Sequence, residues 1–317
     1  MNTDKVKELT DKLEKGLQRL KDSDEFKRYL TCMSRFHSYS YNNTLLIMLQ
    51  MPQATYVAGY STWRKSFNRS VRKGEKGIKI FAPAPVKMTV DRQKTDEEGN
   101  TLTEKEEITL PIFKPVTVFD VSQTVGEPIA QLIEGELVRN VKDYEELKTA
   151  LFMTSEAPVV MKDIESDAKG YFDPKSNDIY IKKGMSEAQT IKTMIHEMAH
   201  SILHQKDNDE KKDRNTKEVE AESVAFTVCR HFGIDTGDYS FGYILGWSKN
   251  ATLDEFRQSL ETIQKCSSRL IGNIEANLSE IKMQKKSIKE KLSVSKDKSI
   301  SQDIKKHKEN TYEFSHI

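Results

Sequence analysis

The chain has 317 residues, enough for two compact domains that each bury a core. Its 50 Lys and Arg nearly cancel its 49 Asp and Glu, so overall charge points to no polyanionic partner, and any such partner has to be read from local patches. The three cysteines, Cys32, Cys229 and Cys266, are odd in number, far apart and without CxxC spacing, which excludes a disulfide framework or zinc ribbon and fits a reducing cytoplasm.

The N-terminal MNTDKVKELTDKLEKGL is charged from the start and lacks the apolar segment of an export signal. No stretch approaches the roughly 18 apolar residues that span a bilayer, so a soluble cytoplasmic protein without a membrane partner is expected. Val6, Leu9, Leu13, Leu17 and Leu20 recur at helical spacing, and a second apolar run, NNTLLIMLQ, ends at Pro52, which makes the first fifty residues helical. From Tyr56 the character changes to short β-rich runs: TYVAGY, GIKIFAP, VKMTV and ITLPIF, with DEEGN as a turn between the last two. The expectation is a small antiparallel sheet packed on the helices over residues 1–125, then a polar linker over 126–140. A second, mostly helical domain with a short sheet follows over 141–293. It opens with a weak helix, VKDYEELKTALFM, and a hairpin-like KGYFDPKSNDIYIKK. The fold class is α+β. Residues 294–317, rich in Lys, Ser and Glu, read as a charged tail, either a frayed helix or disordered.

The second domain contains MIHEMAHSILHQ, residues 194 to 205. Ser186 followed by Gln189 matches a capping box, and Ile191, Ile195, Met198 and Ile202 form one apolar stripe, so this segment is a helix by two independent signs. His196 and His200, four residues apart, then share a face, which lets both imidazoles meet one Zn²⁺ at about 2.1 Å. Glu197 is rotated from the adjacent His196 by about 100° and can act on the water in the open coordination position as general base. The plain alternative is two histidines on an ordinary amphipathic helix. A tetrahedral site needs a third protein ligand, and Glu218 and Glu222 in EVEAE share a helical face four residues apart, while Glu220 points elsewhere. These residues resemble the gluzincin metallopeptidases, whose downstream helix carries E-x-x-x-D. That resemblance implies Glu218 on zinc and Glu222, a Glu where Asp is commoner, behind a ligand histidine. The Glu leaves open which of the two ligates. Three successive helical turns cannot converge on one ion, so His204 is expected to support the ligands or serve structure. The metzincin pattern places a third histidine at position 206, which here is Lys206. DIYIKK, residues 178 to 183, resembles the edge strand along which zincins lay an extended peptide, and reads equally as a plain hairpin strand.

In the first domain, Arg64, Lys65, Arg69, Arg72, Lys73, Lys76 and Lys79 face a single acid, Glu75, in a stretch preceded by Phe36, Tyr39, Tyr41, Tyr56, Tyr60 and Trp63. Rings beside phosphate-attracting charges suit single-stranded nucleic acid, each stacked base contributing about 1 to 3 kcal/mol. The alternative is a core of aromatics under a solvated hairpin.

SRFHSYSYNNTLLIMLQ, ATYVAGYSTWRK, VRKGEKGIKIFAP, VFDVSQT, HEMAHSILH, EVEAE and YILGWSK, in this order, resemble the ArdC antirestriction family of conjugative elements over roughly residues 5 to 270. The resemblance implies an N-terminal domain that binds single-stranded DNA and a C-terminal zincin metallopeptidase fold, related to the IrrE/ImmA group. It implies that Arg35, Tyr39, Tyr41, Asn42, Asn43, Trp63, Arg69, Arg72, Lys73 and Lys76 lie in or near the DNA-binding motif, to which the basic patch adds Arg64. The leading expectation is a single-stranded-DNA-binding protein of a mobile element, with an antirestriction role and a zinc peptidase-like domain. A regulatory protease acting on a repressor or host protein is the second reading, with Tyr239, Tyr243 or His204 as candidates to steady an oxyanion. A DNA-binding module with structural zinc is the third.

Overall fold

The structure, a computed structural model, describes residues 3–95, 101–129, 144–205, 212–234, 247 and 251–313. Helix α1 (Thr3–Arg19) buries Leu9, Leu13 and Leu17, the predicted stripe. Helix α2 (Ser23–Arg35) is capped by Asp22, whose carboxylate accepts from the N–H groups of Asp24 and Glu25. Helix α3 (Tyr41–Gln50) is capped by Ser40 and stops just before Pro52, whose ring cannot continue a helix. The strands that follow are short: β1 (Val57–Gly59), β2 (Arg69–Val71) after helix α4 (Tyr60–Ser66), and β3 (Ile78–Pro83).

Strands β4 (Val86–Thr95) and β5 (Thr101–Leu110) form a two-stranded antiparallel ribbon. The DEEGN turn between them lies outside the described residues. ITLPIF, expected as one strand, is divided at Pro111, with β6 (Phe113–Asp120) beginning two residues later. Strand β6 is central in an antiparallel sheet of order β1-β6-β3, and β7 (Thr124–Gly126) pairs with β2. The buried Asp120 ties this layer together by accepting from the N–H groups of Thr55, Tyr56 and Ser122 at 2.7, 3.0 and 2.9 Å.

The second half begins with α5 (Tyr144–Thr154) and a sheet of β8 (Val159–Lys162), β9 (Gly170–Asp173) and β10 (Asp178–Lys182). Its order is β8-β10-β9, with β10 parallel to β8 and antiparallel to β9. DIYIKK is therefore the central strand and not the edge: β10 uses both its sides in pairing, and Ile179 and Ile181 are fully buried. The edge beside the next helix, α6 (Glu187–Leu203), is β9. Gly170 allows that approach, because a Cβ there would stand 2.7 Å from Thr193 Cγ2 and 2.8 Å from the Tyr180 carbonyl oxygen. Helices α7 (Arg214–His231) and α8 (Leu253–Glu313) complete the chain. The tail after residue 293 continues α8 as helix to Glu313.

Helix α7 is the hub. It packs on α2, α6 and α8, with Ala221, Val224, Ala225 and Val228 fully buried. Buried residues from Leu9 to Leu278 accordingly form one continuous cluster spanning both halves, and Ala58, Trp63 and Ile129 form a small second one. The three cysteines are free and buried, and burial pushes the Cys32 and Cys266 thiols up to about 12, which leaves them as apolar filler. Among the described residues no helix is long and apolar enough to cross a membrane.

Candidate metal centre

Ser186 caps α6 by accepting from the Gln189 N–H at 3.4 Å. The reciprocal half of the expected capping box is absent: the Gln189 side chain donates to Thr193 Oγ1 and accepts from Lys169 Nζ. Ile191, Met194, Ile195 and Met198 bury the inner face of the helix, which leaves His196 and His200 on the side that meets α7.

His196 Nε2 and His200 Nε2 lie 3.1 Å apart, and Glu218 Oε2 on α7 is 3.6 Å from the first and 3.8 Å from the second. Ligand atoms bound tetrahedrally at about 2.1 Å stand about 3.4 Å apart, so this triangle has the size of a zinc-type site. Glu222 sits behind it, with Oε2 3.2 Å from Nδ1 of His196 and Oε1 2.7 Å from Lys192 Nζ. One imidazole cannot direct both ring nitrogens at one ion, so Glu222, against Nδ1, stands behind the triangle that Glu218 forms with the two Nε2 atoms. Where α6 ends, His204 leaves helical geometry at the C-cap. Its Nδ1 is 2.9 Å from Nδ1 of His200, and its Nε2 is 3.2 Å from Oε2 of Glu220. Glu220, fully buried, also accepts from Lys212 Nζ with both carboxylate oxygens at 2.9 Å. A chain of polar groups thus runs from the back of His200 into the core.

The electrostatics match a cluster built around a cation. Burial opposes a charge on His196, but Glu218, Glu222 and Glu197 outweigh it and hold its pKa up at about 9. The His196 and His200 side chains hold the Glu218 carboxyl well below the usual carboxylate range against the opposing effect of burial. Glu197 responds in the other direction: burial raises its pKa, opposed by both histidines and by the Phe172 N–H of β9, which donates to its carboxylate. A buried carboxylate with a raised pKa beside the ligand triangle is placed to exchange a proton with a group in the site.

Lys192, Lys212, the Phe172 N–H and the part played by Glu220 are what the sequence reading misses. Lys192 is within its reach, one turn before His196 on the same helical face. Glu220 does point away from the ligand triangle, as its spacing predicts, but into the support of His204. Tyr239 and Tyr243 lie outside the described residues.

In the N-terminal half several expected DNA contacts are committed to the fold. Trp63 is fully buried, with Nε1 donating to the Phe119 carbonyl at 2.9 Å, and it packs against Tyr56 and Phe67, so no base can stack on it. The physical reason is its place on the inner face of α4, where it seeds the second cluster. Asn43 clamps β3, donating to the Phe81 carbonyl and accepting from its N–H. Arg69 donates to Thr124 and to the carbonyls of Gly126 and Glu127, Arg35 to the Pro52 carbonyl, and the Tyr39 hydroxyl to the Val57 carbonyl. Tyr41 and Asn42 are half-buried at the start of α3. Arg64, Arg72, Lys73 and Lys76 are exposed, although Arg72 is paired with Glu75 at 2.7 Å. Tyr60 is the exposed ring of this neighbourhood.

A helix pair and a mixed sheet thus carry a His-His-Glu triangle on a core continuous with the N-terminal half. Residues 3–119 match the N-terminal domain of anti-restriction factor ArdC, and residues 157–234 match the IrrE N-terminal-like domain of the peptidase M78 group. By these two matches the chain is ArdC-like, an ArdC-type N-terminal domain followed by an M78-type domain. An uncharacterized protein of Bacillus anthracis is 26% identical over 323 residues, covering 90% of this chain and 54% of its own length, so the chain spans about half of that relative. Among solved structures, the Mn(II)-bound antirestriction ArdC protein from the R388 plasmid aligns with a TM-score of 0.52 at 19% identity, over 84% of this chain and 97% of that one. The metal-free structure of that protein aligns at a TM-score of 0.48 and 22% identity, over 75% of this chain and 85% of that one.

Proposed function

We propose that this is a single-stranded-DNA-binding protein of a mobile element, carrying a zinc metallopeptidase-type centre and serving antirestriction during establishment of the element. The observation that carries the reading is the convergence of His196 Nε2, His200 Nε2 and Glu218 Oε2 within 3.1 to 3.8 Å in a chain whose N-terminal domain is of the ArdC type. Two imidazoles and a carboxylate are a donor set that would suit Zn²⁺, and the ion when bound would supply Lewis acidity. His196 and His200 would hold the ion through Nε2, Glu222 and His204 brace their rings from behind, and Glu197, aimed by the Phe172 N–H, would move a proton between water and a leaving amine. Exposed Arg64, Lys73 and Lys76, with the ring of Tyr60, offer a basic surface for a single strand. Fluorescence anisotropy of single-stranded against duplex oligonucleotides of equal length, at two salt concentrations, tests this. Tight, salt-sensitive preference for single strands is expected, and equal or absent binding refutes it.

The position of Glu197 favours a second reading, a zinc-dependent regulatory protease that the N-terminal domain delivers to its protein substrate. Glu197→Gln then keeps zinc and abolishes cleavage of a host or element protein. Proteome-wide mapping of new termini decides: products that persist in the variant exclude the protease, and products seen only with Glu197 exclude a purely structural zinc.

A further inference from the structure

A second group of ligating side chains lies far from the first. His231 closes α7, Glu275 lies on α8, and His37 follows the end of α2. Their ligand atoms are all within 4.8 Å of one another. His231 lies 13 positions after Glu218 on the same helix, so the two groups are about 20 Å apart along α7.

The tautomer of His231 is fixed by its surroundings. Its Nδ1 is 2.7 Å from the Ser34 carbonyl oxygen, which only accepts, so Nδ1 carries the hydrogen. In the neutral ring Nε2 is then a lone pair, and it points at Glu275 Oε1 from 2.9 Å. Two acceptors at that distance are joined either by a proton on Nε2 or by a shared metal ion. Within one buried imidazole, this is the arrangement that a metal-ligating histidine takes: one nitrogen donates to a backbone carbonyl and the other faces the ion. A second proton on His231 would neutralise Glu275 and engage two of the three groups, whereas an ion at about 2.1 Å takes two imidazoles and a carboxylate together. The His37 ring stands edge-on to that of His231 at 5.0 Å between centroids, and the His37 carbonyl is held by Gln264 at 2.7 Å. The Glu275 side chain is 34% exposed while that of His231 is buried, which leaves one open side for ion entry and a water ligand.

We infer that His37, His231 and Glu275 form a second divalent-metal site, of zinc-type ligand chemistry, that clamps α2 of the N-terminal half to α7 and α8. The role is structural: the ion adds a direct bond among three elements that otherwise meet through packing and single hydrogen bonds.

The test is zinc content per chain, by elemental mass spectrometry, of full-length protein equilibrated with Zn²⁺ and freed of excess, for wild type, Glu275→Gln, His37→Asn and His200→Asn. Circular dichroism confirms folding, and the amide introduced by Glu275→Gln can still donate to His231 Nε2. One equivalent is expected to vanish in both Glu275→Gln and His37→Asn and to survive His200→Asn, whether or not the other centre binds zinc. Should Glu275→Gln not fold, His37→Asn decides alone. Zinc content equal to wild type in either folded variant overturns the inference.

Discussion

If protons and metal compete for His196, zinc affinity must depend on pH in a way the structure fixes. Without metal the ring is surrounded by Glu218, Glu222 and Glu197, which together overcome burial and hold its pKa at about 9. Zinc binds the unprotonated ring, so at pH 7 it must displace a proton held about 2 pH units above ambient, at a cost of about 3 kcal/mol, on the order of 100-fold in affinity. The sign follows: affinity rises about tenfold per pH unit up to about pH 9 and levels off above it. Stability of the metal-free protein runs the other way. The folded pKa lies above the unfolded value of about 6.5, so this contribution is complete below that pH and is lost as pH rises through about 9, at most about 3 kcal/mol. The Glu218 attraction is the same interaction seen from its partner and is counted once. Competition with a chromophoric zinc chelator at pH 6.5, 7.5 and 8.5, at fixed ionic strength, measures the slope. Calorimetry in buffers of different ionisation enthalpy counts the protons released at pH 7, with about one expected from His196. A flat affinity profile with no proton release would refute the account, since it would mean that the carboxylates do not hold a proton on the ring.

Four other outcomes follow from the same contacts. Glu222→Gln removes one of the carboxylates that favour the His196 proton and the partner of Nδ1; the midpoint of the affinity profile should move to lower pH, and plateau affinity should fall about 10- to 100-fold, read with the same chelator assay. Gly170→Ala drives a Cβ into Thr193 and the Tyr180 carbonyl, so denaturant unfolding should show a loss of about 1–3 kcal/mol, with β9 and its hold on Glu197 displaced. Leu46→Ala, at a fully buried position of α3, should cost about 2–5 kcal/mol by the same measurement. Lys73→Gln with Lys76→Gln should lower the salt slope of single-strand binding by about 1.4 if both meet phosphate, and an unchanged slope places the strand elsewhere.

How much of this is legible depends on how locally each feature is encoded. The stripe of α1, the caps of α2 and α3, and the position of His196 and His200 on one helical face follow from spacing within a few residues, and the sequence carries them. Trp63 is left open by the sequence because an aromatic beside arginines reads alike whether its ring faces solvent or core. What decides is Phe119, 56 positions along the chain, whose carbonyl takes the indole N–H. DIYIKK reads equally as an edge or as a hairpin strand, and its antiparallel pairing with β9 fits the second, while β8 arrives from the other side through a parallel pairing that leaves no hairpin signature. Glu220 shows the same limit in the site itself. Its side chain faces away from His196 and His200, yet α7 is enclosed by α2, α6 and α8, and a carboxylate turned away from one group of partners there must be buried against another. The group it meets is His204, one turn beyond the ligands. Periodicity therefore finds the residues that can touch an ion, while the residues that hold those ligands in place are set by the packing of α6 on α7, which no local pattern records.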